Sequence, residues 1–291
     1  MSSATSSRSS IIRITSVGCV VSAGASASAI ILYPLNTWLI VTFGWRLAFA
    51  VFGLVLAVDT IPLAALLYRD PPDEVDDRRP ASSAATVAVA DDWTLGAALR
   101  NSSFWAVFAM WGLGVVGYQI VTTHQVAYAP ERGFSPVTVG WVFGLGDSCT
   151  VAGNLLGGSL SDRWGRESVF ALGSAVGIGG IRALAWLEGP NDQPLLLLYA
   201  ASGLGFGMRI ALLAAIPADI FSGRHLGAIL GAAPGGGGLG GFTGPFLGGW
   251  LFDVTGNYQI AFAAAAAAIA ASAVAACVAA PRRSRGGIHR S

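Results

Sequence analysis

The chain has 291 residues, of which 54% are hydrophobic and only 11% are charged. An ordinary soluble domain carries about 25% charged residues, so this composition excludes that class and indicates a membrane protein. The net charge of +1 says nothing about partners, and no nucleic-acid partner is predicted. The three cysteines lack the spacing of a disulfide framework or a zinc site. No metal ion or other cofactor is therefore predicted.

Eight windows of mainly apolar sequence follow one another along the chain. A helix needs about 20 such residues to cross a bilayer, because it satisfies its own backbone polar groups away from water. The windows are Ile14–Val41, Ala48–Tyr68, Phe104–Ala127, Val137–Leu160, Val169–Leu187, Leu195–Pro217, Leu226–Phe252 and Ile260–Ala280. We predict an all-α polytopic membrane protein with about eight transmembrane helices.

The hydrophilic segment between the second and third windows is rich in proline and acidic residues, which predicts a linker. Asp91 and Asp92 beside Trp93 favour a short capped helix at the membrane surface, and a plain loop is the open alternative. The predicted division is a disordered start (1–13), two helices (14–68), the cytoplasmic linker (69–103), six helices (104–280) and a basic tail (281–291).

The basic residues of the connections are all arginines, and they cluster in alternate connections. Only Arg46 and Arg132 fall in the other set. By the positive-inside rule, both termini of this multi-pass protein are predicted to be cytoplasmic, in an inner (plasma) membrane with lipid as its surroundings.

Part of the sequence occurs twice. Residues of the stretch Pro34–Phe49 return in Pro245–Phe262, about 211 to 213 positions later. Much more apolar sequence precedes the later copy than the earlier one. If the protein consists of two equal halves, we expect about four helices of the first half to be absent from this chain.

The turn of residues 157–167 carries glycine, aspartate and arginine between two predicted spans. Its alternative interpretation is an ordinary positive-inside loop. The pattern resembles the G-x3-D-R-x-G-R signature of the major facilitator superfamily, in the copy between helices eight and nine. That resemblance implies a cytoplasmic gate, in which Asp162, Arg163 and Arg166 hold the two halves together when the carrier faces outward.

A second turn, residues 217–227, looks like the family's connection between helices ten and eleven. Asp219 and Arg224 could extend the charge network of the gate. A solvated pair, worth less than about 1 kcal/mol, is the alternative.

The next predicted helix is dense in glycine, which favours close approach of a neighbouring helix and a bend at proline. The residues concerned are Gly231, Gly240, Gly244, Pro245, Gly248 and Gly249. Their spacing is similar to an element associated with exchangers in the superfamily, which makes antiport one possible mode beside symport.

Asp147, Thr150 and Asn154 lie three and four residues apart and therefore share one helix face, the predicted wall of a substrate path. A hydrogen bond that serves packing alone is the other interpretation of Asp147. Arg209 could neutralise Asp147 or bind an anion, or extend towards the cytoplasm. His124 and Gln119 are further candidates near the outer end of their helix, where a histidine could respond to pH or form a hydrogen bond at the interface.

As a whole, the sequence resembles helices five to twelve of a major facilitator carrier: two helices of the first half and the complete six-helix second half. Phe104-Trp105, His124, Tyr128 and Gly133 look most like the monocarboxylate and oxalate/formate carrier group, although Asn154 stands where that group has an arginine.

The resemblance implies a secondary active carrier, not an enzyme, that transports a small solute by alternating access. The predicted solute is an organic anion, moved with a proton or a counter-substrate. The rival hypothesis is a truncated, non-transporting membrane protein or a subunit that only associates with other membrane proteins.

Overall fold

A computed structural model describes residues 31–67, 93–221 and 225–279, without the side chains of residues 59 and 63–67. The regular secondary structure of these residues is helical, as predicted. The helices are α1 (Ile31–Phe43), α2 (Trp45–Leu67), α3 (Leu95–Leu99), α4 (Ser102–Glu131), α5 (Pro136–Trp164), α6 (Arg166–Ala185), α7 (Gln193–Ala201), α8 (Gly203–Ile220), α9 (Leu226–Ala232), α10 (Gly235–Thr255) and α11 (Tyr258–Ala279).

Five stretches of the described residues are long and apolar enough to cross a membrane. They lie in α2, α4, α6, the continuous pair α7–α8, and α11. The described part of α1 is shorter, whereas α5 and α10 have 29 and 21 residues but are diluted by glycine and by polar side chains. Both are nevertheless as long as a span of about 20 residues requires.

Local sequence sets the helix ends. The Ser135 hydroxyl accepts a hydrogen bond from the Thr138 amide at 3.1 Å, and Pro136 occupies the first turn of α5. Gly165 separates α5 from α6 with a φ of +87°, a conformation that side chains other than glycine rarely adopt. Pro234 separates α9 from α10, because it has no amide hydrogen to donate to the preceding turn.

The end of the predicted linker forms the short helix α3, in preference to a plain loop. Thr94 caps it by accepting a hydrogen bond from the Ala97 amide at 3.2 Å, while Asp91 and Asp92, the predicted caps, lie outside the described residues. The helix packs against the end of the bundle, where Trp93 meets Phe221 edge to face at 5.5 Å.

The long helices from α4 onwards form one bundle around a core that divides into two clusters along its length. Phe104, Met110 and Phe170 belong to the cluster near α3 and α9. Tyr128 and Phe262 belong to the cluster at the opposite end. The helices α10 and α11 both pack against α4, and α8 packs between α5 and α6.

Glycine allows the closest of these contacts. A Cβ atom on Gly244 would lie 2.8 Å from the Gln119 Cβ, so α10 approaches α4 as closely as its backbone permits. Gly240 and Gly248 face α4 as well, whereas no atom lies within 4 Å of a Cβ placed on Gly231. The predicted close neighbour of the glycine-rich helix is therefore α4.

The helix α1 packs against α5. A Cβ atom on Gly140 would lie 2.8 Å from the Thr37 Oγ1 and 3.4 Å from the Tyr33 carbonyl oxygen. In contrast, most large side chains of α2 are exposed: only 6% of its apolar window is buried. The contact of α1 with α5 therefore places Tyr33 beside α5.

Candidate functional site

A cavity of about 240 Å³ lies between α1, α4, α5 and the α7–α8 pair. Its wall combines polar side chains with aromatic and aliphatic ones, in a bundle whose core is mainly apolar. The lining side chains are those of Tyr33, Tyr118, Gln119, Val121, Thr122, Gln125, Val126, Val142, Phe143, Asp147, Thr150, Tyr199, Ala200, Ser202 and Phe206. A pocket with a few convergent polar groups is where a small molecule binds most readily.

Among the lining residues that the structure describes, Asp147 is the acidic one. It sits on α5 one turn before Thr150, and it is partly buried. The Tyr33 hydroxyl lies beside the Asp147 carboxylate and interacts with it across the α1–α5 contact. The carboxylate is thus shared between two helices that the short Gly140 contact holds together.

Several hydroxyl groups of the wall already donate their hydrogen. Thr150 donates to the Gly146 carbonyl at 3.0 Å, Thr122 to the Tyr118 carbonyl at 3.0 Å, and Ser202 to the Tyr199 carbonyl at 2.6 Å. The Tyr199 hydroxyl donates to the Gln125 side-chain oxygen. These oxygens therefore present lone pairs, and not hydrogens, to the cavity.

Three of the predicted substrate-path residues, Asp147, Thr150 and Gln119, line the cavity together. Asn154 does not, because it lies one turn further along α5, where its backbone faces Gly207 of α8. His124 does not line it either, since its Nε2 lies 3.2 Å from the Pro245 carbonyl oxygen at the α4–α10 contact.

Arg209 is buried elsewhere in the bundle, with 5% of its surface exposed. Its Nη2 donates to the Ser272 hydroxyl at 3.1 Å, and its guanidinium lies over the Phe170 ring at 5.0 Å. The Arg209 Nε has no hydrogen-bond partner among the described residues. It faces α4, α6 and α11 and not the cavity, so the predicted neutralisation of Asp147 by Arg209 is absent from this structure.

Several lining residues were not predicted from the sequence. Thr122 and Gln125 follow Gln119 by three and six residues on α4, so their spacing is a signal of a shared face, as it is for Asp147 and Thr150. Tyr33, Tyr199 and Ser202 gave no comparable signal, because their position depends on how α1 and α7 dock against α5.

The predicted gate residues lie at one end of the bundle. Arg166 at the start of α6 forms a two-pronged ion pair with Asp219 near the end of α8; its second contact, from Nη2 to Oδ1, is 3.4 Å long. Asp162 and Arg163 are exposed at the end of α5. The partner of Arg166 is therefore Asp219, the residue of the second turn that the sequence analysis placed in the same charge network. Arg224 lies outside the described residues.

Comparison with known proteins identifies the family of this chain. The family model described as the Major Facilitator Superfamily matches residues 16–186 and 127–289. A protein of Cupriavidus pinatubonensis (strain JMP 134 / LMG 1197) named "Probable 4-methylmuconolactone transporter" is 29% identical over 140 residues. That alignment covers 45% of this chain and 30% of the relative, so the chain matches less than a third of the relative's length. Since the two matched stretches reach from residue 16 to residue 289, the protein belongs to the Major Facilitator Superfamily, as predicted.

Proposed function

We propose that this protein is a membrane carrier, not an enzyme, that moves a small organic solute across the membrane by alternating access. The observation that carries the proposal is the cavity, which Asp147 of α5 and Gln119 of α4 line together inside a mainly apolar bundle. The family match and the transporter named among the relatives support solute transport as its purpose.

We assign α1 and α2 to the end of the first half of the carrier, and the helices from α4 onwards to the second half. The resemblance to family helices five to twelve supports this assignment. With this assignment, the cavity lies at the interface between the two halves, where Tyr33 belongs to the first half and Asp147 to the second. Both termini are then cytoplasmic, in an inner (plasma) membrane.

The gate is assigned to the end of the bundle that holds the charged turn. The ion pair between Arg166 and Asp219 ties the start of α6 to the end of α8. It leaves Asp162 and Arg163 exposed beside it, where they can contact the other half of the carrier. Arg224 would add a further positive charge to this surface.

The predicted solute, an organic anion moved with a proton or a counter-substrate, is supported by the resemblance to monocarboxylate and oxalate/formate carriers. The relative's name, which refers to a lactone, supports a small organic compound more generally. An anion beside Asp147 would require that this carboxylate be neutralised, because Arg209 points away from the cavity.

Uptake by proteoliposomes tests the carrier proposal. Liposomes with the purified protein should accumulate 4-methylmuconolactone or one of a panel of small carboxylic acids and amines, whereas empty liposomes should not. Asp219→Arg should slow uptake strongly, and the double exchange with Arg166→Asp should restore much of it. Asp253→Asn, at the exposed end of α10, is the matched control.

Equal accumulation by empty liposomes for every solute would contradict the carrier proposal. It would instead favour the rival hypothesis of a non-transporting membrane protein that associates with others, for which the exposed apolar side chains of α2 offer a surface.

A further inference from the structure

We propose that the cavity selects a small organic cation, a quaternary ammonium or a protonated amine, in preference to an organic anion. The inference rests on the proposed function in one respect, since it takes the cavity as the substrate site. It departs from the anion prediction because the side chains that line the cavity have the opposite charge preference.

The charge of the wall is negative. Asp147 is the charged side chain among the described lining residues. The two arginines nearest in sequence to lining residues are engaged elsewhere: Arg132 lies over the Tyr128 ring, and Arg209 lies over the Phe170 ring. A bound cation would therefore meet an opposite charge, and a bound anion a like one.

The wall is also aromatic. Three tyrosines and two phenylalanines contribute rings, and they pack in pairs across the helices. Tyr118 meets Phe206 edge to face at 5.5 Å, and Phe143 meets Tyr199 at 6.3 Å. Tyr33 closes the same cavity from α1. The faces of such rings carry negative potential and attract ammonium groups, most strongly where water is excluded.

The hydrogen-bonding groups agree with the charge. A carboxylate ligand needs donors, but the hydroxyl hydrogens of Thr122, Thr150, Ser202 and Tyr199 are already donated within the protein. These hydroxyl groups offer a ligand their lone pairs, and the donors that the side-chain amides of Gln119 and Gln125 add carry no positive charge. The wall thus offers acceptor oxygens, aromatic rings and a carboxylate, and these suit an ammonium ligand. Its positive charge is attracted to the carboxylate, its N–H groups donate to the oxygens, and its methyl groups lie against the rings.

Three probes of nearly the same shape test the inference. Choline carries a fixed positive charge, 3,3-dimethylbutan-1-ol is its neutral counterpart, and 3,3-dimethylbutanoate carries a negative charge. Titration calorimetry of the full chain in detergent should show choline binding about tenfold or more tightly than the alcohol. The carboxylate should bind most weakly of the three.

Variants identify the groups responsible. Asp147→Asn should abolish the preference for choline over the alcohol, and Phe206→Leu, which keeps an apolar side chain but removes a ring, should reduce it several-fold. Asp253→Asn removes a carboxylate far from the wall and should leave the preference intact.

The inference is overturned if the carboxylate binds as tightly as choline, if Asp147→Asn leaves the preference unchanged, or if none of the probes binds. These outcomes are separate from the carrier proposal. Proteoliposomes that accumulate a carboxylic acid but do not bind choline would retain the carrier and exclude the cation.

Discussion

Two neighbouring glycines of α5, Gly157 and Gly158, should respond oppositely to the same substitution. A Cβ atom on Gly157 would lie 2.7 Å from the Met208 Cα and 2.9 Å from its carbonyl oxygen, both backbone atoms of α8. A Cβ atom on Gly158 would meet no atom within 4 Å. Both positions are helical, so alanine improves the helix propensity of each by up to about 1 kcal/mol.

The clash at Gly157 determines the difference. Ordinary contact begins near 3.4 Å, so α5 and α8 must separate by about 0.7 Å to admit the methyl group. Forcing one extra carbon into a packed contact typically costs about 1 to 3 kcal/mol. We therefore expect Gly157→Ala to be about 1 to 3 kcal/mol less stable than Gly158→Ala, with Gly158→Ala at or slightly above the unsubstituted protein.

Thermal unfolding in detergent, followed by tryptophan fluorescence, measures this difference. For a chain of this size, 1 kcal/mol corresponds to about 2 to 4 °C in Tm, so Gly157→Ala should melt at least about 2 °C below Gly158→Ala. Equal melting temperatures, or a lower value for Gly158→Ala, would refute the close α5–α8 contact from which the prediction is derived.

The remaining predictions concern Arg209 and Gly140. Arg209→Met should melt within a few degrees of the unsubstituted protein, because it removes a buried charge but keeps the volume. Arg209→Ala should lower the free energy of unfolding by about 2 kcal/mol or more, because it leaves a void. The same thermal assay compares the two variants. Gly140→Leu should separate α1 from α5 at Thr37 and lower the free energy of unfolding by about 1 to 3 kcal/mol. It should also weaken choline binding in calorimetry, because Tyr33 shifts. Unchanged binding would contradict a role of α1 in the cavity.

The sequence predicts the helices better than it predicts their rotation. The windows Phe104–Ala127 and Val169–Leu187 correspond closely to α4 and α6, because a run of apolar residues is visible without any knowledge of neighbours. The spacing of Asp147 and Thr150 likewise identifies a shared face. Which neighbour that face meets depends on how each helix is turned about its own axis, and the pattern of residues leaves this open.

Arg209 illustrates the limit. At about 100° per residue, Arg209 lies about 60° around α8 from Phe206 and about 120° from Gly203, and both of these residues line the cavity. The spacing therefore left open whether Arg209 faced the cavity as well. The structure turns Arg209 towards Ser272 and Phe170, and the position near mid-span that suggested a partnership with Asp147 does not bring the two together.

The same contacts indicate where the carrier would open. The backbone of α5 lies against α8 at Gly157, and the ion pair between Arg166 and Asp219 joins α6 to α8. Since Asp147 and Phe206 lie on these joined helices, the acidic wall of the cavity and the exposed charges of the proposed gate belong to one packed body. The helix α1 lies outside that body and meets it at Gly140, so we expect movement of α1 to expose Asp147 and to break its interaction with Tyr33.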